Sequence, residues 1–578
     1  MAFQLSPGVA VVEKDFSAIV PAVSTSAGAF AGVFAWGPVL DPVTITSENT
    51  LIQRFGKPTD SNFDSFFTAA NFLSYTNNLL VVRVDTDNAK NAVTTGTAVK
   101  INNFDDYNTN YSNGEGSVGE WAAKYPGALG NSLKVSMADQ TTFSGWDYEA
   151  EFDSAPSTSS YADSVGGSND EIHVIVIDED GLWTGTQGAI LEKFAYVSKA
   201  SDAKKADGTN NYYKNVINSQ SKYIWWMDHT SSVATSVNGT GTSGVAWGTA
   251  AANVGFKDLT GVITKSLSGG VDDLSATDGQ LEDGFALFAN AEQYDISLIP
   301  LGKVSETVAT YVINNVAEVR LDCVVFASPQ YIVDNTTGGT DGDTIQGAAV
   351  SDMIDAINEY RNALPSTSYA VLDSGAKYQY DRYNDKYRWV PLNGDVAGLA
   401  ARTDYTNDPW WSPAGLNRGQ IKNVVRLAFN PGKTERDTLY KAGVNPVVNF
   451  PGQGTVLYGD KTLLSKPSAF DRINVRRLFI VLEKAIATAA KYQLFEFNDS
   501  FTRAQFKNLV EPFLRDVQGR RGVTDFRVVC DDTNNTGEII DRNEFVADIY
   551  IKPNRSINFI TLNFIAARSS VAFTEIGA

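Results

Sequence analysis

The 578 residues contain two histidines, His173 and His229, so few side chains are available for proton transfer near neutral pH. His173 sits in the run Ile172-His173-Val174-Ile175-Val176-Ile177, and alternation along that run predicts a strand with the imidazole facing outward. His229 follows Trp225-Trp226-Met227-Asp228 and is the one candidate for a base or ligand. The chain has no Gly-x-Ser-x-Gly elbow, no phosphate-binding loop and no His-Glu-x-x-His pair. Gly452-Gln453-Gly454 with Gly459 lacks dinucleotide-binding spacing. Asp178-Glu179-Asp180-Gly181 opens like a calcium loop but lacks the later ligands and the closing glutamate. Asp272-Asp273 and Asp531-Asp532 read as solvated loop carboxylates. Cys323 and Cys530, far apart, offer no disulfide framework and read as small buried apolar groups, as in a reducing cytoplasm. These residues define no reaction centre and call for no cofactor or metal, so the expectation is a protein that is not an enzyme.

Two other features are richer. Asp408-Pro409-Trp410-Trp411-Ser412-Pro413-Ala414-Gly415 joins two indoles to two prolines and a glycine. The plainer reading is a rigid loop capping a core, and the functional one makes Trp410 and Trp411 an anchor at a subunit contact. Charge is also uneven. From residue 471 on, 15 basic residues meet 14 acidic ones, which leaves 32 basic against 53 acidic before it. An acidic body disfavours direct nucleic-acid binding, and the near-neutral C-terminal part is suited to a different partner. No run of about 18 apolar residues exists to insert in a membrane, and the N-terminus lacks the features of a signal peptide.

The elements that must hold these residues follow from periodicity. Residues 1–23 read as an exposed arm containing the short strand Val9-Ala10-Val11-Val12. Asp64 to Leu73 has helical spacing, and Leu79 to Val84 is a buried-strand run. In residues 91–175, Gly, Ser, Thr, Asn and Asp dominate and three lysines oppose twelve acidic residues, which predicts an inserted, exposed, β-rich domain. The polar stretch 198–249 reads as loops. From 295 to 372 strand and helix alternate, with Val304, Val308, Val312, Val316 and Val319 marking one helix face, so parallel strands with right-handed crossovers are expected. Leu478 to Ala489 forms a long helix. Thr502-Arg503-Ala504-Gln505 has capping-box spacing before a second apolar stripe, in which Pro512 predicts a kink or break. Two alternating strands follow, then an extended stretch from Ile557 to Phe573.

Several segments in order resemble the tail sheath proteins of contractile bacteriophages. They are Ser6-Pro7-Gly8-Val9, Phe34-Ala35-Trp36-Gly37-Pro38, Gln53-Arg54-Phe55-Gly56, Pro409 to Gly415 with Arg418-Gly419, Ile473 to Leu478, and Phe495-Glu496-Phe497-Asn498-Asp499. The resemblance covers the arm, residues 24–84 and roughly 283–578. It implies an α/β (α+β) sheath core with parallel and mixed sheets and helices, carrying inserted β-rich domains in a multi-domain chain. The expected division is an arm (1–23), a middle domain (24–90 and 176–300), the insertion (91–175), an α/β sheath domain (301–470), a tube-proximal core (471–556) and a C-terminal arm (557–578). It further implies a homo-oligomer of hexameric rings stacked helically around a tail tube protein, with baseplate and tail terminator proteins as further partners. The subunit would be assembled in the host cytoplasm and lodged in the virion tail. The termini would donate strands to neighbours, through Val9, Val11 and Val12 at one end and Ile560, Leu562 and Phe564 at the other. The basic residues Arg503, Lys507, Arg515, Arg520 and Arg521, on and just after the Thr502–Gln518 helix, are candidates to face the tube. The rival readings are the sheath of a tail-derived particle such as a bacteriocin or type VI-like machine, and, from another class, a nucleotide-binding enzyme or a surface-adhesion protein.

Overall fold

The computed structural model describes residues 24–230, 244–329, 349–558 and 560–562. They form two compact units, one made of 24–406 and 413–466, the other of 407–412 and the chain from 467 onward.

The larger unit is built on a seven-stranded sheet. Its order runs from Val444–Asn445 through Ala370–Asp373, Val324–Ala327, Leu298–Pro300, Gly28–Val33 and Leu79–Val84 to Val43–Ile45. Only the last pair is antiparallel. The central strands are apolar and buried along their length, the pattern of a parallel sheet covered on both faces. The expected strand–helix–strand–helix–strand run is present, with Val350–Ala363 as its second helix. Its first helix combines Glu306–Val312, a π-turn over Ile313–Ala317, and Glu318–Arg320. Val308, Val312 and Val316 are buried, whereas Val319 is 64% exposed. The π-turn lengthens the period, so the valine stripe ends early and Arg320 turns inward. The helix Asn393–Thr406 crosses Phe63–Leu73 so closely that a Cβ on Gly394 would lie 2.5 Å from the Thr68 carbonyl oxygen.

The β-rich part of the chain extends beyond residue 175. A four-stranded antiparallel sheet takes the order Ala189–Ser198, Glu171–Asp178, Leu133–Ala138, Ile263–Ser266. A boundary at 175 therefore falls inside a strand, and the sheet draws on the chain as far as residue 266. Its two ends lie side by side, Lys90 and Val271 exchanging backbone hydrogen bonds of 3.1 Å. The stretch 198–249 is not all loop: Tyr213–Gln220 is helical, and Ile224–Trp226 pairs with Trp121–Ala123. The outward placement expected for His173 is wrong, because both faces of its strand are covered and the ring is buried. It stacks on Phe152 at 4.1 Å, accepts from the Tyr196 amide at Nδ1, and thereby leaves Nε2 to donate to the Ser154 carbonyl.

In the smaller unit, helices α1 (Ile473–Ala490) and α2 (Ser500–Gly519) pack with a hairpin of β1 (Val523–Val529) and β2 (Asp548–Pro553), in which Phe526 faces Ile551. Asp499, not Thr502, caps α2: its carboxylate accepts the Thr502 amide at 2.8 Å, so Thr502 already lies within the first turn. Helix α2 runs unbroken through Pro512. Pro512 and Asn508 are exposed, so the missing amide of Pro512 falls on a solvent-facing side of the helix, where it costs little.

Candidate assembly surface of the C-terminal unit

The core of this unit is one apolar cluster. Leu478 and Leu482 from α1, Phe506, Val510, Leu514 and Val517 from α2, and Val523, Val528 and Cys530 from the hairpin meet around Trp410. Burying an indole removes roughly 150–250 Å² of side-chain surface from water, the largest single contribution such a site can make. The Trp410 indole is 6% exposed and donates to the Arg520 carbonyl at 3.1 Å. The Arg520 guanidinium lies 5.0 Å from the Trp410 ring centre, and that of Arg521 5.4 Å from the Trp411 ring centre. Trp410 thus caps the core, the plainer of its two readings, while Trp411 is half-buried at the rim.

The five basic candidates occupy different environments. Arg503 is buried; it donates to Asp532 at 2.5 Å and to the Asn498 side chain at 2.8 Å, and so ties α2 to the loop after β1. Arg520 is bridged to Asp408 and Asp516. Lys507 and Arg515 flank Glu511 at 3.7 Å on the exposed face of α2, and such exposed pairs contribute little. Arg521 is exposed at the turn where α2 ends, its φ of +67° reversing the chain so that the Gly522 amide reaches the Val517 carbonyl. Lys507, Arg515 and Arg521 therefore remain available to a partner, whereas Arg503 and Arg520 are committed to the fold.

Between α2 and the outer edge of β1 lies an open groove of about 430 Å³, lined by Lys507, Glu511, Arg515, Gln518, Asp525 and Arg527 among others. Among the described residues no further strand pairs with the outer edge of β1 or of β2. The ribbon packs on the helices through one face, and the free N–H and C=O groups along its outer edges form a template for another strand. Val9, Val11, Val12 and Phe564 lie outside the described residues. Ile560 and Leu562 are described, exposed and unpaired by any strand.

Among the described residues no three His, Cys, Asp or Glu side chains are placed to hold a metal ion. His229 is buried, with the Tyr213 hydroxyl 2.5 Å from Nδ1, and burial pushes its pKa down to about 4. The buried pair Lys377–Asp395, 2.9 Å apart and joined by the Tyr75 hydroxyl, is enclosed in the core. Asp272 and Asp273 are engaged by Ala128, Thr86 and Asn88 rather than left open to a cation.

Comparison with known proteins places this architecture. Three protein-family models match: the tail sheath protein Gp18 domain III N-terminal region over residues 28–84, the phage tail sheath protein central domain over 275–463, and the phage tail sheath C-terminal domain over 465–567. The tail sheath protein of Vibrio phage KVP40 is 37% identical and that of Enterobacteria phage T4 34% identical, each alignment covering 99% of both chains. The crystal structure of a sheath tail protein from Listeria innocua shares the fold at a TM-score of 0.53 and 11% identity, covering 92% of this chain and 96% of its own. One from Desulfitobacterium hafniense gives 0.51 and 12%, covering 95% and 100%. With family models across most of its length and full-length relatives above 30% identity, this chain belongs to the phage tail sheath protein family.

Proposed function

We propose that copies of this chain polymerise as six-fold rings stacked helically around a tail tube, ending at a baseplate and a tail terminator. The lattice then shortens to drive the tube through a host envelope during genome ejection. The observation that carries this reading is the β1–β2 ribbon, whose outer edges pair with no further strand among the described residues. A terminal strand from a neighbouring copy would complete it, Val9, Val11 and Val12 from one copy and Ile560, Leu562 and Phe564 from another. Each backbone hydrogen bond so gained is worth about 1 kcal/mol net, and several per arm tether subunits while leaving rigid bodies free to rotate. Contraction then needs no cofactor. An extra ~400 Å² of apolar burial per subunit in the shortened lattice would supply ~10 kcal/mol before opposing costs. The cations of α2, half-buried Lys507 and exposed Arg515, with Arg521 at its end, supply the tube contact. The phage origin of the relatives favours a virion tail, assembled in the host cytoplasm, over a secretion machine.

The arm is the point of test. Deleting residues 1–20 is expected to leave a soluble protein that melts cooperatively but forms no tubes in negative stain. The free arm peptide should rescue little, because a tether supplies an effective concentration that a dissolved peptide does not match. Tubes of normal length from the deleted chain would refute strand exchange.

A further inference from the structure

In the larger unit, the strand Ala376–Asp381 and the helix Asn393–Thr406 each send an ionisable side chain into one dry site. Lys377 and Asp395 are both wholly buried, and Lys377 Nζ stands 2.9 Å from each oxygen of the Asp395 carboxyl group. Equal distances to the two oxygens bring the nitrogen up to the carbon between them, at about the 3–3.5 Å of a near-attack geometry. The Tyr75 hydroxyl donates to Oδ1 at 3.0 Å and is itself fixed by the Lys422 amide at 2.8 Å. Lys377 also donates to the Lys422 carbonyl at 2.9 Å. Among the described residues no donor besides Lys377 reaches Oδ2. A buried ion pair regains its desolvation cost only where further donors satisfy the carboxylate. Here burial pushes the Asp395 carboxyl up and the Lys377 ammonium down, which favours a carboxylic acid beside an amine.

The chain supplies its own contrast. Lys199 and Asp139 are equally buried and 3.2 Å apart. That carboxylate accepts from the Leu259 and Thr141 amides and from the Thr141 and Thr142 hydroxyls. Against the cost of burial, the Lys199 charge and these donors hold Asp139 below the ordinary carboxylate range. A carboxylate held ionised is no electrophile. We infer that Lys377 and Asp395 are a modification site, joined by an amide bond that the folded chain forms by itself. Lys377 Nζ bonds to the Asp395 carboxyl carbon, and the Tyr75 hydroxyl meets the charge that develops on Oδ1. One nitrogen proton passes to the Oδ2 hydroxyl, the bond from carbon to Oδ2 breaks, and water leaves; nothing is oxidised or reduced. The bond ties strand to helix and stands independently of the polymer proposed above.

The test takes the full chain as purified. Its intact mass should fall short of the sequence mass by one water. Trypsin should release peptide 362–382, uncut after Lys377, joined to peptide 389–402. Tandem spectra should place the bond between Lys377 and Asp395 and find Lys199 and Asp139 unlinked. A chain of full mass that trypsin cuts normally after Lys377 overturns the inference. An equal yield of a Lys199–Asp139 bond also overturns it, because hydrogen-bond donors would then not decide which pair reacts. Tyr75→Phe keeps the ring and removes the hydroxyl. In pulse-labelled variant that still melts cooperatively, the bond should form roughly a hundredfold more slowly; formation at the wild-type rate overturns the step assigned to Tyr75. The wild-type spectrum decides by itself whether the bond exists.

Discussion

His229 shows how burial decides what a titratable residue does. Its ring lies among Tyr212, Tyr213 and Trp226 and faces the cation of Lys214, and desolvation, with that charge second, depresses its pKa to about 4. An unfolded imidazole titrates near 6.5. Below that pH the unfolded chain takes up the proton first, so the stability this residue contributes is present above about 6.5 and lost as pH falls toward 4. The loss is on the order of 3 kcal/mol over the window. Thermal melts between pH 7 and 4.5 should therefore fall less steeply for His229→Gln, which keeps a partner for the Tyr213 hydroxyl; parallel curves would show the residue to be neutral in the balance. At this scale the sequence was poor about placement. The scarcity of histidine, the missing glycine fingerprints and the wide separation of the two cysteines were all readable in one dimension. That His173 would be buried was not, because alternation says which residues share a face and not whether a loop, here the one bearing Phe152, covers the other face.

The elements were legible wherever periodicity ran long. The buried strand Leu79–Val84, the parallel run from Leu298 to Asp373 and the stripes of α1 and α2 all follow from spacing and appear as expected. The failures sit where one residue changes a local rule. The π-turn at Ile313–Ala317 puts Val319 in water, Asp499 outcompetes Thr502 as a cap, and Pro512 sits on a solvent face where a missing amide costs little. Helix α2 also sorts the five basic candidates, a distinction that sequence spacing does not make. Reversing Arg515 and Arg521 to glutamate should leave tube-free sheath polymers intact, because both side chains are exposed. Pelleting with tail tubes should show co-assembly weakened about tenfold or more at low salt. Wild-type co-assembly should itself fall as salt rises, with the double variant weak throughout. Undiminished pelleting of the variant would remove α2 from the tube contact.

At the scale of the molecule, the composition change near residue 85 lies beside the start of a β-rich part whose four-stranded sheet runs past 175 to residue 266. The family matches stop at 84 and resume at 275. The neck between Lys90 and Val271 is closed by paired backbone hydrogen bonds, reinforced where Asn88 and Thr86 engage Asp273. We propose that the separable unit is 86–275 rather than 91–175. Cutting at 175 removes Leu133–Ala138 and most of Glu171–Asp178, leaving Ala189–Ser198 and Ile263–Ser266 without the strands that join them. A 91–175 deletion should therefore give insoluble or unfolded protein. Replacing 86–275 with a short Gly/Ser linker should leave a folded chain, because the seven-stranded sheet is made wholly of residues outside that range. Some loss is expected at the junction. Trp36 packs edge-on against Tyr125 and Trp183, and buried Arg83 donates to the Pro126 carbonyl as well as to Gly37. Removing those partners exposes an indole and halves the carbonyl acceptors of a buried cation, a cost of about 2–3 kcal/mol. The melting temperature should drop accordingly, and changing Trp36 to a polar residue in the deleted chain should recover solubility. If the insertion is a decoration on the outside of the sheath, the 86–275 deletion should still form tubes in negative stain. A folded, soluble deletion that assembles none would instead make it part of the lattice.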